Sequence, residues 1–415
     1  MRLSRADWTL LILLAAVQFT NVLDFMIVMP LGPTYMDKMH LSPSQFGWVA
    51  SAYGYAAAAS GLLAAMFMDR FDRKRSLLVI YAGFIVATLF CGAAFNYPLL
   101  LIGRALAGAF GGIMGAAVLS IVGDAFHDSR RGTAMGTVMS AFSIASITGV
   151  PLGLELARII GLWAPFVGIG SLATAVLIGV AIVMRPMRDH LDHPAEDRVS
   201  LREILTHHRF LRAYGLVASM MISGFILMPF MTAFLVFNVG RPESDLKYVY
   251  LVGGLATVVT MNVSGRMSDR FGKLRMFRIL ALGTIVPLLV FTNLPPVSLG
   301  VALIVTTVFW VISSGRMVPG MALILGVAAP RYRGQFQSVT AMVQHLSMAV
   351  GASLGGLIVG KTDGKALTNI GLTGLVAVAF MVLSVVLAGH LRAAVTEPTP
   401  EPAAEPEPQR EAIVA

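Results

Sequence analysis

The stretch Asp69-Arg70-Phe71-Asp72-Arg73-Lys74-Arg75 separates two long apolar segments, 53–68 and 76–95. A second stretch, Asp269-Arg270-Phe271-Gly272-Lys273-Leu274-Arg275, repeats the Asp-Arg-Phe triplet and its basic tail between two further apolar segments. Each half of the chain therefore carries one copy, which indicates a duplicated architecture. Because apolar segments flank both copies, the pattern predicts two related halves that are both embedded in a membrane.

The composition also indicates a membrane protein. The 415 residues are 56% hydrophobic and only 13% charged, whereas about a quarter of the residues of a soluble protein are charged. The net charge of +9 could indicate a nucleic-acid partner, but the basic residues lie in short loops between apolar runs rather than on one face. We therefore expect membrane lipids around the chain and no nucleic acid. Cys91 is the single cysteine, which excludes an internal disulfide and is typical of core packing.

Twelve apolar segments are long enough to cross a bilayer, whose core of about 30 Å needs roughly 20 residues of helix. Their predicted extents are 8–35, 44–68, 76–95, 99–123, 133–157, 163–184, 209–236, 246–268, 276–293, 297–325, 335–360 and 369–391. One long polar interruption, 185–208, divides them six and six. The sequence therefore predicts an all-α membrane protein with twelve transmembrane helices in two pseudo-symmetric six-helix bundles.

This division predicts four regions. They are an N-terminal bundle over 1–184, a cytoplasmic linker over 185–208, a C-terminal bundle over 209–391 and a disordered cytoplasmic tail over 392–415, which is rich in Pro, Glu and Ala. The loops at one end of the bundle hold most of the basic residues, and the positive-inside rule makes that end cytoplasmic, together with both termini.

The linker itself carries two local signals. Ser200-Leu201-Arg202-Glu203 has the form of a capping box and predicts a short amphipathic surface helix. The adjacent His207 and His208 would point to different faces of a helix, and no cysteine or carboxylate completes a site with them. We therefore expect no metal there.

The second basic loop carries a family resemblance. The run 265–273, Gly-Arg-Met-Ser-Asp-Arg-Phe-Gly-Lys, resembles the signature loop of the major facilitator superfamily, Gly-x-Leu-x-Asp-Arg-x-Gly-Arg-Lys. The first copy, 65–74, keeps the acidic residue but has Ala65 and Asp72 in place of both glycines. The resemblance implies the twelve-helix fold of that family and transport by alternating access.

The same resemblance implies a gate at the cytoplasmic end. A carboxylate there can pair with guanidinium groups and cap a facing helix while the cytoplasmic side is shut. The family implies this latch for Asp69 and Arg73, and we expect Arg70, Asp269 and Arg270 to belong to the same cytoplasmic gate. The alternative is that these charges only set the topology.

Ionisable residues inside the spans are costly, so each is a functional candidate. Gln18, Asn21 and Asp24 share one face of the first span and are expected to face a central cavity. With a rise of about 1.5 Å per residue, Asp24 and Arg104 both lie about 22 to 24 Å from the cytoplasmic end. Arg104 begins a run that resembles the family's fourth-helix motif, which is linked to proton coupling. We expect Asp24 and Arg104 to form the proton-coupling pair, with Asp24 carrying the proton; the alternative is a buried pair that only holds helices together.

The fifth span contains Gly149-Val150-Pro151-Leu152-Gly153. This run resembles the Gly-x-Pro-x-Gly core of the antiporter motif in drug:proton antiporters, including the sugar-efflux-like bacterial exporters, and it implies export. Gly149, Pro151 and Gly153 are accordingly predicted to form a kinked helix-packing element. The alternative is a packing element with no meaning for direction.

The second half supplies the rest of the predicted substrate cavity. These residues are Met228, Asn262, Arg316, Gln344 and His345. Arg316 lies deep in a span and needs an anion, carbonyl groups or water, so it could attract an acidic substrate or have a structural partner. His345 could titrate in the cavity or make an interhelical hydrogen bond. Met228 belongs to a Met- and Phe-rich segment that suits varied lipophilic ligands but also suits ordinary packing.

These residues together predict a secondary active transporter. No Gly-x4-Gly-Lys-Ser/Thr loop for ATP is present, and no nucleophile–base pair or metal cluster indicates an enzyme or a cofactor. We expect proton-coupled efflux of a small organic molecule by a monomer in the bacterial inner membrane. Two alternatives stay open: proton symport or facilitated import of a small metabolite, and a membrane sensor or scaffold without transport.

Overall fold

The computed structural model describes residues 4–67, 70–126, 128–188, 201–329 and 332–396, and these residues are almost entirely helical. The helices are α1 (Arg5–Ile27), α2 (Gly32–Lys38), α3 (Pro43–Phe67), α4 (Arg73–Ala93), α5 (Tyr97–Ala125), α6 (Asp128–Ile144), α7 (Val150–Ile159), α8 (Ala164–Val183), α9 (Leu201–Thr206), α10 (His208–Phe225), α11 (Met231–Phe237), α12 (Leu246–Phe271), α13 (Lys273–Thr292), α14 (Leu299–Gly315), α15 (Met317–Leu325), α16 (Arg333–Ile358) and α17 (Ile370–Thr396). A two-residue hairpin, β1 (Gly360–Lys361) with β2 (Leu367–Thr368), joins the last two helices.

Eleven helical segments of the described chain are long and apolar enough to cross a membrane. The remaining predicted span is α3, a helix of 25 residues that is rich in alanine and packs between α5 and α16. The predicted linker helix is present as α9. Most of the linker, 189–200, and most of the tail, 397–415, lie outside the described residues, as does the predicted gate residue Asp69.

Four predicted spans are interrupted where the sequence predicted one segment. The predicted first span, 8–35, is wrong as a single helix because α1 ends at Ile27, ahead of Pro30, and α2 starts afresh. The fifth contains a π-helical turn, Ala145–Gly149, directly before Pro151, and the seventh contains a 3₁₀ turn around Pro229. The tenth breaks between α14 and α15. Proline removes a backbone donor and crowds the preceding turn, so helices break or widen beside it.

The tail also departs from the prediction at its start. The helix α17 continues to Thr396, so it covers 392–396, which were predicted to be disordered. This segment contains Ala393 and Ala394, and alanine is the strongest helix former, which favours continuation of α17.

The two halves meet along a seam between α3 and α16. A Cβ atom at Gly47 would lie 2.8 Å from Cα of Gly356, and one at Gly54 would lie 2.8 Å from the carbonyl oxygen of His345, so the two backbones touch. Two turns further along the same face of α3, a Cβ at Gly61 would meet nothing within 4 Å. The helices therefore separate along their length.

A second seam, between α6–α7 and α12, shows the same change. Gly254 of α12 lies against Ser146 and Ile147, where a Cβ would be 3.1 Å from either side chain. Gly132 and Gly136, which lie further down α6, would meet nothing within 4 Å. Both seams are thus tight at one end of the molecule. We call the end where the loops 70–75 and 269–275 lie the basic end. The end where both seams are tight is called the opposite end.

Polar contacts reinforce the seal at the opposite end. Each of them joins a residue of the C-terminal half (201–396) to one of the N-terminal half (4–188). They are Thr232 to the carbonyl of Met29 at 3.2 Å, Lys361 to the carbonyl of Met36 at 3.4 Å, Lys247 to Glu155 at 3.3 Å, and the ion pair of Lys365 with Asp37. Together with the two splayed seams, these contacts give a molecule whose halves meet at the opposite end and diverge toward the basic end.

Candidate coupling and substrate site

The centre of the N-terminal half is an ion pair that is closed off from solvent. Arg104 of α5 donates from Nη1 to Oδ2 of Asp24 at 2.7 Å and to the carbonyl oxygen of Asp24 at 3.2 Å. The exposed fractions are 0% for Asp24 and 1% for Arg104. Two charges at this depth are tolerated only when they are paired and hydrogen-bonded. The structure thus brings together the two residues whose depths the sequence predicted to match, while their role in coupling stays a prediction.

Two further helices complete the surroundings of this pair. Thr88 of α4 donates its hydroxyl to Oδ1 of Asp24 at 3.1 Å. The guanidinium carbon of Arg104 lies 4.9 Å from the centre of the Tyr53 ring of α3, a cation–π distance. The carboxylate and the guanidinium are therefore held by α1, α3, α4 and α5 together.

Asn21 extends the network along α1, one turn before Asp24. Tyr53 donates its hydroxyl to Oδ1 of Asn21 at 2.8 Å, and the Asn21 amide donates to the carbonyl of Gly111 at 3.2 Å. Gly111 must be small, because a Cβ there would lie 2.1 Å from the Tyr53 hydroxyl. Gln18, one turn earlier, is half-buried, and its Oε1 has no hydrogen-bond partner among the described residues.

The Gly-Pro-Gly element packs directly against the helix that carries Asp24. A Cβ at Gly149 would lie 2.8 Å from Leu23, and one at Gly153 would lie 2.6 Å from Ile27, on either side of Asp24. The intervening Pro151 follows the π-helical turn. The two glycines thus let the fifth segment lie against α1 beside the ion pair. The geometry by itself says nothing of direction.

Arg316 is the second deeply buried cation. It stands at the break between α14 and α15 and is 1% exposed. Its Nη2 donates to the hydroxyl of Ser223 at 2.9 Å and reaches the carbonyl of Met220 at 3.4 Å, both on α10. Its Nε and Nη1 have no hydrogen-bond partner among the described residues.

The other predicted cavity residues of this half are more dispersed. Gln344 donates to the sulfur of Met321 at 3.2 Å, and Nδ1 of the half-buried His345 has no partner in the described chain. Asn262 is exposed and donates to the carbonyl of Val258 on its own helix. Met228 lies in the 3₁₀ turn at the sealed end of the molecule. The structure therefore does not gather these four side chains around one point.

At the basic end, the first loop is organised around partners that the sequence did not suggest. Arg73 donates from Nε to Asp124 at the end of α5, at 2.9 Å. Asp72, which stands where the family has glycine, caps α4 by accepting from the backbone N–H of Arg75 and pairs with Arg188 at 3.1 Å. Burial alone would raise the pKa of Asp72, but the backbone N–H of Arg75 and the Arg188 side chain lower it below its usual range.

The remaining gate residues are solvent-exposed. Arg70 and Asp269 lie at the surface, and Asp269 makes no ion pair with any described residue. The guanidinium of Arg270 lies 5.4 Å from the centre of the Phe271 ring. The predicted pairing of Asp69 falls outside the described residues.

Sequence reasoning missed four residues of these sites: Tyr53, Thr88, Asp124 and Ser223. Each reaches its partner from a different helix, and the rotation of one helix against another is not visible in a hydropathy pattern. One signal was available for Asp124, because an acidic residue at the basic end of a span invites a partner in a neighbouring basic loop.

Comparison with known proteins identifies the family. The model of the Major Facilitator Superfamily matches residues 14–352 and 213–414. This chain belongs to the major facilitator superfamily. It is therefore a multi-pass membrane transporter and not an enzyme, and the predicted family and all-α transmembrane fold are confirmed.

Individual relatives and a solved structure agree with this family. The chain is 26% identical over 362 residues to the MFS-type transporter YceJ of Bacillus subtilis, a match that covers 84% of this chain and 88% of that protein. It is 24% identical over 362 residues to Multidrug resistance protein 1 of Bacillus subtilis, covering 86% and 91%. A bacterial homologue of the human lysosomal transporter Spinster, solved in an inward-facing and occupied conformation, superposes with a TM-score of 0.78 at 17% identity over 94% of this chain and 98% of that one. The last similarity concerns the fold alone.

Proposed function

We propose that this transporter exports a small organic molecule in exchange for protons, from a bacterial inner membrane in which both of its termini face the cytoplasm. The similarity to Multidrug resistance proteins 1 and 2 of Bacillus subtilis supports export. The greater number of basic residues in the loops at the basic end supports a cytoplasmic location for that end.

The observation that carries the proposal is the sealed pair of Asp24 and Arg104. A proton that binds Asp24 removes the charge that compensates Arg104, and an uncompensated guanidinium at this depth is unfavourable. Protonation therefore favours a rearrangement of α1 against α5 that gives Arg104 other partners or water. Because Gly149 and Gly153 pack on α1 beside Asp24, such a movement also reaches the seam between the two halves.

The present arrangement corresponds, in this proposal, to the state that is open to the cytoplasm. The seal at the opposite end is formed, and the exposed gate residue Asp269 has no ion pair in the described chain. Closure at the basic end would bring the loops 70–75 and 269–275 toward the facing half. Alternating access then exchanges the contacts at one end for those at the other.

Reconstitution of the Asp24→Asn variant tests the proposal. A ligand found by a thermal-shift screen is loaded into proteoliposomes, and its flux is followed with and without an imposed pH gradient. We expect Asp24→Asn to keep ligand counterflow but to lose the acceleration that the gradient gives to the wild type. Asp363→Asn, which removes an exposed carboxylate from a loop at the opposite end, is the matched control and should behave as the wild type does. Gradient-driven flux that is undiminished in Asp24→Asn would remove Asp24 from the coupling role.

A further inference from the structure

We propose that Arg316 binds an anionic group of the transported molecule, so that the substrates are organic acids, carboxylates above all. This inference rests on the proposed function only in taking the space between the two halves as the transport site. It concerns equilibrium binding, and it holds or fails whether or not transport is coupled to protons.

The first support is the unmet hydrogen-bonding capacity of Arg316. A guanidinium has five N–H bonds, of which Nε and Nη1 carry three. None of these three has a partner in the described chain, although Arg316 is only 1% exposed. Buried polar groups in proteins are nearly always hydrogen-bonded, and a buried charge without a counter-charge is more costly still. The site is therefore incomplete without an acceptor.

The second support is that none of the described acidic residues of the C-terminal half pairs with Arg316. Between 209 and 391 the acidic residues are Glu243, Asp245, Asp269 and Asp363, which lie in loops or at helix ends. Asp245 pairs with Arg241 at 3.9 Å. In the N-terminal half, Asp24 is already bound by Arg104. No acidic residue of the described chain therefore balances the charge of Arg316.

The third support is the position of Arg316 beside the meeting layer of the halves. Arg316 is anchored to Ser223 of α10, and two residues further along that helix the ring of Phe225 lies 6.2 Å from the ring of Phe25 on α1. Because α10 runs from the basic end toward the opposite end, Arg316 lies on the basic side of this aromatic contact. That is the side toward which the halves diverge, and in this proposal the anion approaches Arg316 from that side.

The two buried arginines thus have different tasks. Arg104 has a carboxylate from its own chain, and Arg316 presents the same chemistry with the carboxylate missing. Ser223 and the carbonyl of Met220 accept hydrogen bonds from Nη2 of Arg316, while its Nε and Nη1 have no hydrogen-bond partner in the described chain. Carboxylates are the natural partners of such a fixed group, because hydrogen bonds from a guanidinium to an anion are about twice as strong as neutral ones.

Binding of matched acid and amide probes tests the inference on the purified full-length protein. Benzoate, 2-naphthoate and glutarate are compared with benzamide, 2-naphthamide and glutaramide by thermal shift and calorimetry. At least one acid should stabilise the wild type, while its amide should not. In Arg316→Met the affinity for that acid should fall roughly ten- to hundredfold, the loss expected for a charge-assisted hydrogen bond. Arg212→Met, which removes a surface charge from α10, should leave the affinity unchanged.

Two milder variants guard against misfolding of Arg316→Met. Ser223→Ala keeps the charge of Arg316 but removes the hydroxyl that fixes the position of its guanidinium. The affinity for the acid should therefore fall several-fold. Arg316→Lys keeps the charge but changes the shape of the donor, and it should bind more weakly than the wild type. Equal stabilisation by acid and amide, equal affinity in Arg316→Met and the wild type, or no stabilisation by any acid would overturn the inference. Sodium chloride is titrated in parallel, and Arg316-dependent stabilisation by chloride that no acid exceeds would assign the site to an inorganic ion instead.

Discussion

At the scale of single residues, the two halves of this transporter treat buried charge differently. The N-terminal half compensates Arg104 internally with the carboxylate of Asp24, whereas Arg316 pairs with no carboxylate of the described chain and has both Nε and Nη1 without a partner there. The depth of each arginine could be predicted from its distance along the helix, because the rise per residue is fixed. The hydroxyl partners, Thr88 on Asp24 and Ser223 on Arg316, could not be predicted, because short hydroxyl side chains occur throughout the spans and only the packed helices show which ones converge.

The histidine that caps the start of α10 gives a prediction at the scale of a single residue. His207 caps α10 by accepting the backbone N–H of Arg209 on Nδ1 at 3.3 Å, and burial, together with the neighbouring His208 and Arg209, lowers the pKa of His207 below its usual 6.5. A group whose pKa is lowered in the folded protein stabilises it above the unfolded-state pKa, and this contribution is lost as the pH falls. Once the pH falls below that lowered pKa, a proton on Nδ1 would also remove the capping acceptor.

We therefore expect the wild type to lose about 0.5–1 kcal/mol of stability between pH 8 and pH 5 relative to His207→Asn, which caps without titrating. Thermal unfolding of the two proteins at both pH values measures the difference. Parallel pH dependence in the two proteins would show that His207 does not act as a cap.

At the scale of elements, close helix contacts are made through glycine. On α5, a Cβ at Gly108 would lie 2.2 Å from the carbonyl oxygen of Tyr53, and one at Gly112 would lie 2.6 Å from Cα of Ala57, so α3 and α5 touch backbone to backbone. The sequence predicted that small residues would allow close approach, but it did not show which glycines face a neighbour. Gly115, one turn further on, has open space. The helix breaks were equally hard to predict, since Pro287 lies inside an unbroken α13 while Pro229 stands in a break.

Alanine substitution on α5 separates the two kinds of glycine. Gly108→Ala should force α3 away from α5 and cost about 1–3 kcal/mol, as overpacking does, because the clashing atom belongs to backbone that cannot rotate away. Gly115→Ala on the same helix should be neutral or should stabilise by up to about 1 kcal/mol through helix propensity. Unfolding temperatures in one detergent compare the two variants, and an equal effect of both would contradict the close contact.

At the scale of the whole molecule, the seal at the opposite end joins two halves that are otherwise free to move. The sequence predicted two six-helix bundles, but it could not show which end is closed, because a transporter that alternates must be compatible with both states. The ion pair of Lys365 with Asp37 illustrates this limit. Asp37 lies in the last turn of α2 and Lys365 in the turn between β1 and β2, far apart in the chain, and only the closed opposite end brings them together.

Breaking this pair should shift the conformational equilibrium. A partly exposed ion pair is worth about 0.2–1 kcal/mol, so Lys365→Met should raise the population open at the opposite end by up to roughly fivefold. Spin labels at Lys38→Cys and Asp363→Cys, in a Cys91→Ser background, report the distance between the halves by electron resonance.

The hydrogen bond from Lys365 and the positive charges nearby lower the pKa of Asp37 below its usual 3.8, so the wild-type distances should not change between pH 5 and pH 8.

Asp245→Asn is the matched control for this measurement, because the pair of Asp245 with Arg241 lies at the same end but within one half. Its distance distribution should equal that of the wild type. An unchanged distribution in Lys365→Met would show that this ion pair does not help to hold the opposite end closed.

In every charged contact of the seal, the cation belongs to the same half of the molecule. Lys247, Lys361 and Lys365 all belong to the C-terminal half, and all reach oxygen acceptors on the N-terminal half. Mobile ions in the surrounding medium screen such attractions together, since the Debye length falls from about 8 Å at 0.15 M to about 3 Å at 1 M ionic strength. Higher ionic strength on that side of the membrane is therefore expected to weaken these contacts together and to favour opening there.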